Sequence, residues 1–239
     1  MTYFKMSNPL SVVIITKNEQ HFIADAVKSS LFADEVLVMD SGSSDNTCAI
    51  AKGLGAKVIH QDWLGFGAQK NKAVSMSKND WVFVLDADER ITKDLQKELL
   101  ITLNSPKSKA YYVPRINRFF GKDIKHCGLY PDYSIRLFDR RFGSFNEVSV
   151  HESVQISESV ENLISPMKHI AFDSVIEFRN KQKHYATLSQ KKRNLIKALV
   201  SPVWIFVKIY LFRLGMLEGW RGLVIAIVYA EYTFWKYFR

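Results

Sequence analysis

Residues 81–90 read WVFVLDADER: five apolar side chains run straight into Asp86, Asp88 and Glu89. The apolar run has the make-up of a buried strand. Carboxylates at its end are costly away from water unless they are paired or bound to a metal. Asp86 and Asp88 stand two apart, so in extended chain they point the same way. Two carboxylates on one side suit a hard divalent cation such as Mg2+ or Mn2+, which is typically held by one or two carboxylates plus substrate phosphates. Capping of the next helix would account for one aspartate but not for the pair.

The same kind of ending recurs along the first hundred residues. LSVVIIT (10–16) is followed by Lys17, Asn18 and Glu19, and EVLVMD (35–40) by Ser41, Gly42, Ser43, Ser44 and Asp45. AKVIHQ (56–61) reads as a third strand, and residues 19–32, 48–54, 67–78 and 93–103 read as helices. Unbroken apolar strands alternating with helices predict a parallel sheet covered on both faces. In such folds ligands bind at the carboxyl ends of the strands, so these polar endings converge on one rim. From 110 to 178 the pattern shifts. Residues 111–119, 133–139 and 149–156 read as strands of mixed or antiparallel pairing, and from about 179 the chain turns helical, basic and then strongly apolar.

With 239 residues, 47% hydrophobic and 24% charged, the chain is globular rather than disordered. Cys48 and Cys127 stand far apart without zinc-like spacing, which argues against a disulfide framework or a structural zinc. MTYFKMSNPL lacks a long apolar core and a cleavage-like site, so no signal peptide is expected and a cytoplasmic setting is the default. Residues 1–167 hold 20 basic and 20 acidic side chains, whereas 168–239 hold 13 against 4, so the whole net charge of +9 sits in the C-terminal region. That asymmetry predicts an anionic partner there, nucleic acid or a membrane surface.

TKNE (16–19), VMDSGSSDNT (38–47), WLGFGAQKNKA (63–73) and LDADER (85–90), in this order and spacing, resemble the inverting glycosyltransferases of family two, which have the GT-A fold. YPDYSIRLFDRR (130–141), VHESV (150–154) and the histidine of PMKHIAF (166–172) make the chain more similar still to the lipopolysaccharide-core β-glucosyltransferases that act on the inner-core heptose. The resemblance covers nearly the whole chain. It implies an α/β GT-A fold over 1–178, a Rossmann-like nucleotide-binding mixed sheet with helices on both faces. Residues 1–104 would form the nucleotide-sugar half and 105–178 the acceptor half, with 179–239 a membrane-associating tail of amphipathic helices. It implies transfer of a sugar, glucose from UDP-glucose, to a heptose of the lipopolysaccharide or lipooligosaccharide inner core, with Mg2+ or Mn2+ as cofactor. Polyprenyl phosphate or another envelope acceptor is the alternative within the same chemistry.

The resemblance also implies roles. Thr16, Asn18 and Glu19 would line the nucleotide pocket, and Asp40 would accept a hydrogen bond from the base. Asp86 would contact ribose or donor sugar, Asp88 would bind the metal, and Gln69, Lys70 and Asn71 would lie beside the donor. Lys70 would bring positive charge to the diphosphate or sugar, although its type alone reads as a solvated helix lysine. His169 stands where some GT-A enzymes place a late metal ligand. Inversion needs a base that deprotonates the acceptor hydroxyl as it attacks the anomeric carbon, and stabilisation of the departing diphosphate. Two carboxylates are candidates for the base. Glu152 falls about where many relatives carry a Glu-Asp pair, here His151-Glu152. Asp132 resembles the acidic residue before an Arg-Leu strand in polyprenyl-phosphate sugar transferases, or pairs with Arg136. Glu152 is preferred. His151 would be structural or orient the acceptor, and Arg115, Arg118 and Arg136 could meet an anionic acceptor.

In the tail, PVWIFVKIYLFRLGML (202–217) and EGWRGLVIAIVYAEYTFWKYFR (218–239) interleave Arg, Lys, Trp and Tyr with apolar residues. The longest uncharged stretch, Gly222 to Ala230, falls short of the roughly 18 residues of a membrane span. This is the pattern of helices lying in a membrane interface. A peripheral protein on the cytoplasmic face of the inner membrane, with a lipid-linked oligosaccharide acceptor, is the expectation. Charge mixed into an aromatic tail argues against a nucleic-acid binder. Aspartate-nucleophile phosphatases also follow an apolar strand with Asp-x-Asp, but usually on the first strand, which here ends in TKNE.

Overall fold

The computed structural model describes residues 7–146, 152–189 and 191–238. The chain forms two compact units, Met1–Arg115 with Tyr133–His169, and Ile116–Asp132 with Ile170–Arg239. This division differs from the sequence boundary at 178, because residues 116–132 and 170–178 group with the tail.

In the first unit, β1 (Leu10–Thr16), β2 (Glu35–Asp40), β3 (Lys57–His60) and β4 (Trp81–Asp86) are parallel, with Val12 of β1 opposite Val36 on one side and Phe83 on the other. Every residue of β1 is buried, as a strand covered on both faces requires. The sheet runs in the order β3-β2-β1-β4-β8-β6-β12-β5. Here β5 is Glu89–Ile91, β6 Ala110–Phe119, β8 Asp132–Asp139 and β12 Met167–Phe172. β8 is antiparallel to β4, with Val82 opposite Phe138. β12 is antiparallel to β5, with His169 opposite Glu89. The expected mixed pairing beyond 110 is thus present, and the strands read at 111–119 and 133–139 are there, each beginning one residue earlier. Of the expected strand at 149–156, residues 149–151 lie outside the described residues. Val154–Ile156 (β10) pairs with Gly143–Phe145 (β9) in a separate ribbon.

The helices α1 (Ile23–Ser30), α2 (Thr47–Gly53), α3 (Phe66–Ser75) and α4 (Lys93–Asn104) connect the strands. α1 starts at Ile23 rather than at 19 because Asn18 turns the chain with φ 57°, and the Glu19 carbonyl then accepts from the Phe22 and Ile23 amides. α4 is capped by Thr92, whose hydroxyl accepts from the Leu95 amide at 3.2 Å, and it buries Leu95, Leu99 and Leu103 at i, i+4 spacing. These pack with Ile14, Ile23, Phe83 and Leu85, each contributing about 1.5–3 kcal/mol on full burial.

The second unit holds β7 (Lys122–Ile124), which pairs with the end of β6, and the helices α5 (Val175–Leu188), α6 (Leu195–Val207) and α7 (Trp220–Phe238). β11 (Val160–Asn162) belongs to the first unit, parallel to the start of β6. Phe119, Phe120, Phe172, Phe178, Ile225 and Val228 make the second unit's core. A π-helical turn, Lys208–Phe212, extends α6, and a 3-10 turn, Gly215–Glu218, leads to α7. The turn passes so close to α7 that a Cβ on Gly222 would lie 1.8 Å from the Gly215 carbonyl oxygen. Buried Glu218 accepts from the Lys125 and His126 amides at 2.9 and 3.1 Å and contacts Lys122 Nζ at 2.8 Å and His126 Nδ1 at 2.7 Å.

Candidate active site

The rim of the first unit is built by the turns after β1 and β2. Asn18 accepts the Ser44 amide through Oδ1 at 2.8 Å, and its own amide donates to the Ser43 hydroxyl, so the two turns are tied together. Asp40 is buried. One oxygen accepts the Gly42 and Ser43 amides at 3.0 and 2.9 Å, and the other accepts the Ser43 hydroxyl. Burial opposes its charge, but these donors hold its pKa below the usual carboxylate range. The Thr16 hydroxyl is buried at the end of β1 with no hydrogen-bond partner among the described residues. A buried hydroxyl in that state is costly, and here it stands at the strand-end rim. Glu19 has its pKa raised, first by burial and then by the charges of Asp88 and Asp45, with Arg90 opposing.

The carboxylates of the β4–β5 turn meet four cationic or imidazole side chains, and Asp86 and Glu89 share one of them. Asp86 contacts Lys70 Nζ at 3.0 Å and Arg136 at 3.2 Å. Burial works against its charge, but Arg136 and Lys70 hold its pKa well below the usual range. Glu89 is fully buried, 2.7 Å from Arg136 and 3.4 Å from Arg115, and it also accepts the Asp86 amide at 3.0 Å. Asp88 lies 3.2 Å from His169 Nε2, brought there by the β5–β12 register. The expectation that Asp86 and Asp88 stand side by side is corrected. β4 ends at Asp86, and the chain turns at 87–88 before β5 begins, so the period-two alternation stops between the two aspartates.

Lys70 is the larger surprise. Read by type as a solvated helix lysine, it is 3% exposed, and its ammonium also contacts Glu152 at 2.8 Å. One cation therefore bridges the strand-end carboxylate and the preferred base. Both carboxylates and Lys70 line a cleft of about 630 Å³ together with Arg136, Arg115 and Tyr112.

The sequence model of glycosyl transferase family 2 matches residues 11–153, which takes in every strand and turn of the rim. The chain belongs to this family. An uncharacterized glycosyltransferase of Rickettsia typhi is 33% identical, over 92% of this chain and 82% of that protein. The lipopolysaccharide core biosynthesis glycosyltransferase LpsC of Rhizobium meliloti is 28% identical, over 95% of this chain and 89% of LpsC. Among solved structures, S. aureus TarS is similar with a TM-score of 0.52 at 17% identity, over 76% of this chain, which spans 39% of the TarS chain. TarS 1–349 in complex with UDP-GlcNAc gives 0.51, over 76% of this chain and 66% of that one. The fold is GT-A, as the resemblance implies, and the protein is a glycosyltransferase.

In this family 2 chain, the remaining candidates divide by what holds them. Gln69 is fully buried. Its amide donates to Ser41 Oγ and the Gln61 carbonyl at 3.0 and 3.2 Å, and its oxygen accepts the Leu64 amide at 3.3 Å. Asn71 exchanges two 2.8 Å hydrogen bonds with the Phe145 backbone. Gln69 thus braces the loop before α3, and Asn71 ties α3 to β9. Asp132 opens β8, belongs to the second unit and is not among the residues lining the cleft. Arg136, expected to pair with Asp132 or to meet an acceptor, is buried against Asp86 and Glu89. Arg118 contacts Asp123 at 3.7 Å in the second unit. His151 lies outside the described residues. Sequence reasoning missed Tyr112 and Tyr133 of the cleft wall. No period marks them, because Tyr112 and Arg115 of β6 stand three apart and residues 133–136 of β8 line the cleft consecutively.

Among the described residues no group of three His, Cys, Asp or Glu is placed to hold a metal ion. Asp88 and His169 still fit a divalent cation as a two-ligand start, since such ions commonly complete their shell with diphosphate oxygens and water.

Proposed function

We propose that this protein is an inverting transferase that moves glucose from UDP-glucose to a heptose of the lipopolysaccharide inner core. The observation that carries the reading is Lys70, which joins Asp86 at the donor rim to Glu152 within one cleft. Likeness to LpsC over nearly the whole chain supports the acceptor class. The UDP-GlcNAc named with TarS supports a nucleotide-sugar donor. Thr16, with its unpaired buried hydroxyl, and Asn18, Glu19 and Asp40 would receive the nucleotide.

Glu152 would take the proton of the acceptor hydroxyl as that oxygen attacks the anomeric carbon. The bond from that carbon to the diphosphate oxygen breaks, and the electron pair leaves with the diphosphate. Lys70 holds Glu152 in place for this step. Asp88 and His169 would hold Mg2+ or Mn2+, which when bound neutralises the leaving diphosphate. A thermal-shift screen of nucleotide sugars with and without Mn2+ tests the donor and metal together, since a ligand of the folded state raises its stability. A metal-independent shift, or none with UDP-sugars, sinks this assignment.

The second unit supports peripheral membrane association on the cytoplasmic face. The continuous helix Leu195–Phe212 has 18 residues and a mean hydropathy of 1.8, enough by length and composition to cross a membrane, and 6% of it is buried. The sequence expectation weighed only uncharged stretches and overlooked this helix because Lys197 and Lys208 interrupt it. Those two lysines, with Lys191, Lys192 and Arg193 just before it, favour a helix lying along anionic headgroups over one that crosses. Binding to vesicles rich in acidic lipid, weakening with salt, is the expected result. Indifference to such vesicles at low salt overturns it.

A further inference from the structure

Between β3 and α3 the chain carries HQDWLGFGAQ (60–69), and its apolar residues are turned outward. Trp63 is 47% and Phe66 50% exposed, with ring centroids 4.8 Å apart and planes at 86°. Outward aromatic side chains on a loose loop would mean little, but this loop is braced. The buried Gln69 side chain holds the Leu64 amide and the Gln61 carbonyl, and ties both to Ser41 at the end of β2. Gly65 makes the bend with φ 99°, a conformation that side chains other than glycine's rarely adopt. The aromatic pair is thus held in the open by a buried amide whose hydrogen bonds serve that loop and the rim.

The position of the pair is also defined. Phe66 precedes Lys70 by four residues on α3, so the two lie on one helix face, one turn apart. Lys70 lines the cleft beside Glu152. The aromatic pair therefore continues that face outward from the cleft, flanked by the exposed pair His60 and Asp62, whose Nε2 and Oδ1 are 3.2 Å apart.

Two occupants match exposed aromatic rings, a bilayer and a sugar. The charges decide between them. Residues 60–69 contain no Lys or Arg, and the Asp62 side chain, next to Trp63, is 93% exposed. That carboxylate would be repelled by anionic headgroups. A pyranose ring has an apolar C–H face that packs on an aromatic face, and an edge of hydroxyls that a carboxylate and an imidazole can meet. We propose that Trp63 and Phe66 are the platform for a sugar ring of the acceptor, with Asp62 and His60 binding its hydroxyls. The proposal rests on the reading above that the acceptor is an oligosaccharide.

The test uses the full chain and deacylated lipopolysaccharide inner-core oligosaccharide, with binding followed by calorimetry. Trp63→Ala and Phe66→Ala should each weaken binding at least tenfold, while Trp63→Tyr retains most of it. In transfer assays KM for the oligosaccharide should rise by a similar factor, with kcat, UDP-glucose affinity and binding to acidic vesicles unchanged. Unaltered oligosaccharide affinity in both alanine variants overturns the platform. So does a loss that falls on UDP-glucose or on vesicles instead, and so does a wild-type chain that does not bind the oligosaccharide. A wild-type chain that binds it through Trp63 but transfers no sugar to it would sink the proposed reaction and leave the platform standing.

Discussion

The first unit buries charge, and the second leaves apolar surface open. Across the turn from β4 to β5, buried Glu89 and half-buried Asp86 join a network with Lys70 and Arg136, while the apolar residues of β4 behind them are fully covered. On α6, by contrast, Ile196 is 76%, Leu199 69% and Val203 64% exposed. Charges and apolar groups are each costly in the wrong solvent, so neither arrangement follows from stability alone. Paired carboxylates on a strand-end rim, one of them fully buried, fit a site that must hold polar groups rigidly. An open apolar helix flanked by lysines fits a surface whose partner is not water. On the proposed function, the difference teaches that catalysis and localisation would draw on opposite violations of the same rule.

The comparison breaks first at the base. Glu152→Gln should lower transfer by at least about 100-fold with UDP-glucose affinity retained, because the attacking hydroxyl loses its base while Lys70 keeps Asp86 and can still donate to the amide oxygen. If calorimetry shows donor binding lost as well, Glu152 belongs to the donor site and the cleft has been misread. Next in size is Lys70→Met, which leaves Asp86 and Glu152 facing each other without their shared cation. Removing one partner from a buried ion network should cost about 3 kcal/mol, softened here because Arg136 still meets Asp86. A fall in melting temperature of about 6–12 °C follows for a chain of this size. A Lys70→Met protein as stable as wild type would mean the first unit's charge network carries no structural role.

In the second unit the tight spot is apolar. Gly222→Ala places a methyl group against the Gly215 carbonyl and should destabilise this unit by about 1–3 kcal/mol. The fluorescence of Trp204, Trp220 and Trp235 would report it at lower denaturant than the first unit's circular dichroism does. Unchanged unfolding would show that the turn can move aside. The smallest effect is a pH dependence. Burial opposes the charge of Glu218, but Lys122, His126 and the Lys125 amide bring its pKa down to about 2 from the ordinary 4.5. A depressed carboxyl adds stability that is complete above pH 4.5 and is lost as pH falls toward 2. Between pH 6 and 3 the thermal midpoint of the wild-type second unit should drop more than that of Glu218→Gln. Parallel curves would remove Glu218 from the list of groups holding that unit.

Much of this was readable beforehand where a period or a motif repeats over many residues. The four parallel strands announced themselves as strands, and α4 as a helix over 93–103. Three-residue strands such as β5 and β9 are too short to show a period, so the turn that separates Asp86 from Asp88 was not foreseen. The resemblance gathered Lys70, Asp86 and Glu152 into one reaction. It did not foresee that Lys70 bridges the other two, or that Gln69 braces a loop and Asn71 a strand, β9.

Sequence by itself determined the α/β architecture, the family and the residues that stand at strand ends, because apolar runs, turn residues and motif spacing are local properties of the chain. Only the tertiary structure decided which side chains meet. Lys70 and Glu152 are 82 positions apart, and Asp88 and His169 are 81 apart. Sheet register and helix rotation bring them within contact distance, and no local pattern encodes either. The fate of the apolar tail was decided at the same level: whether Leu195–Phe212 is core or surface depends on what packs against it, and the fold leaves it open.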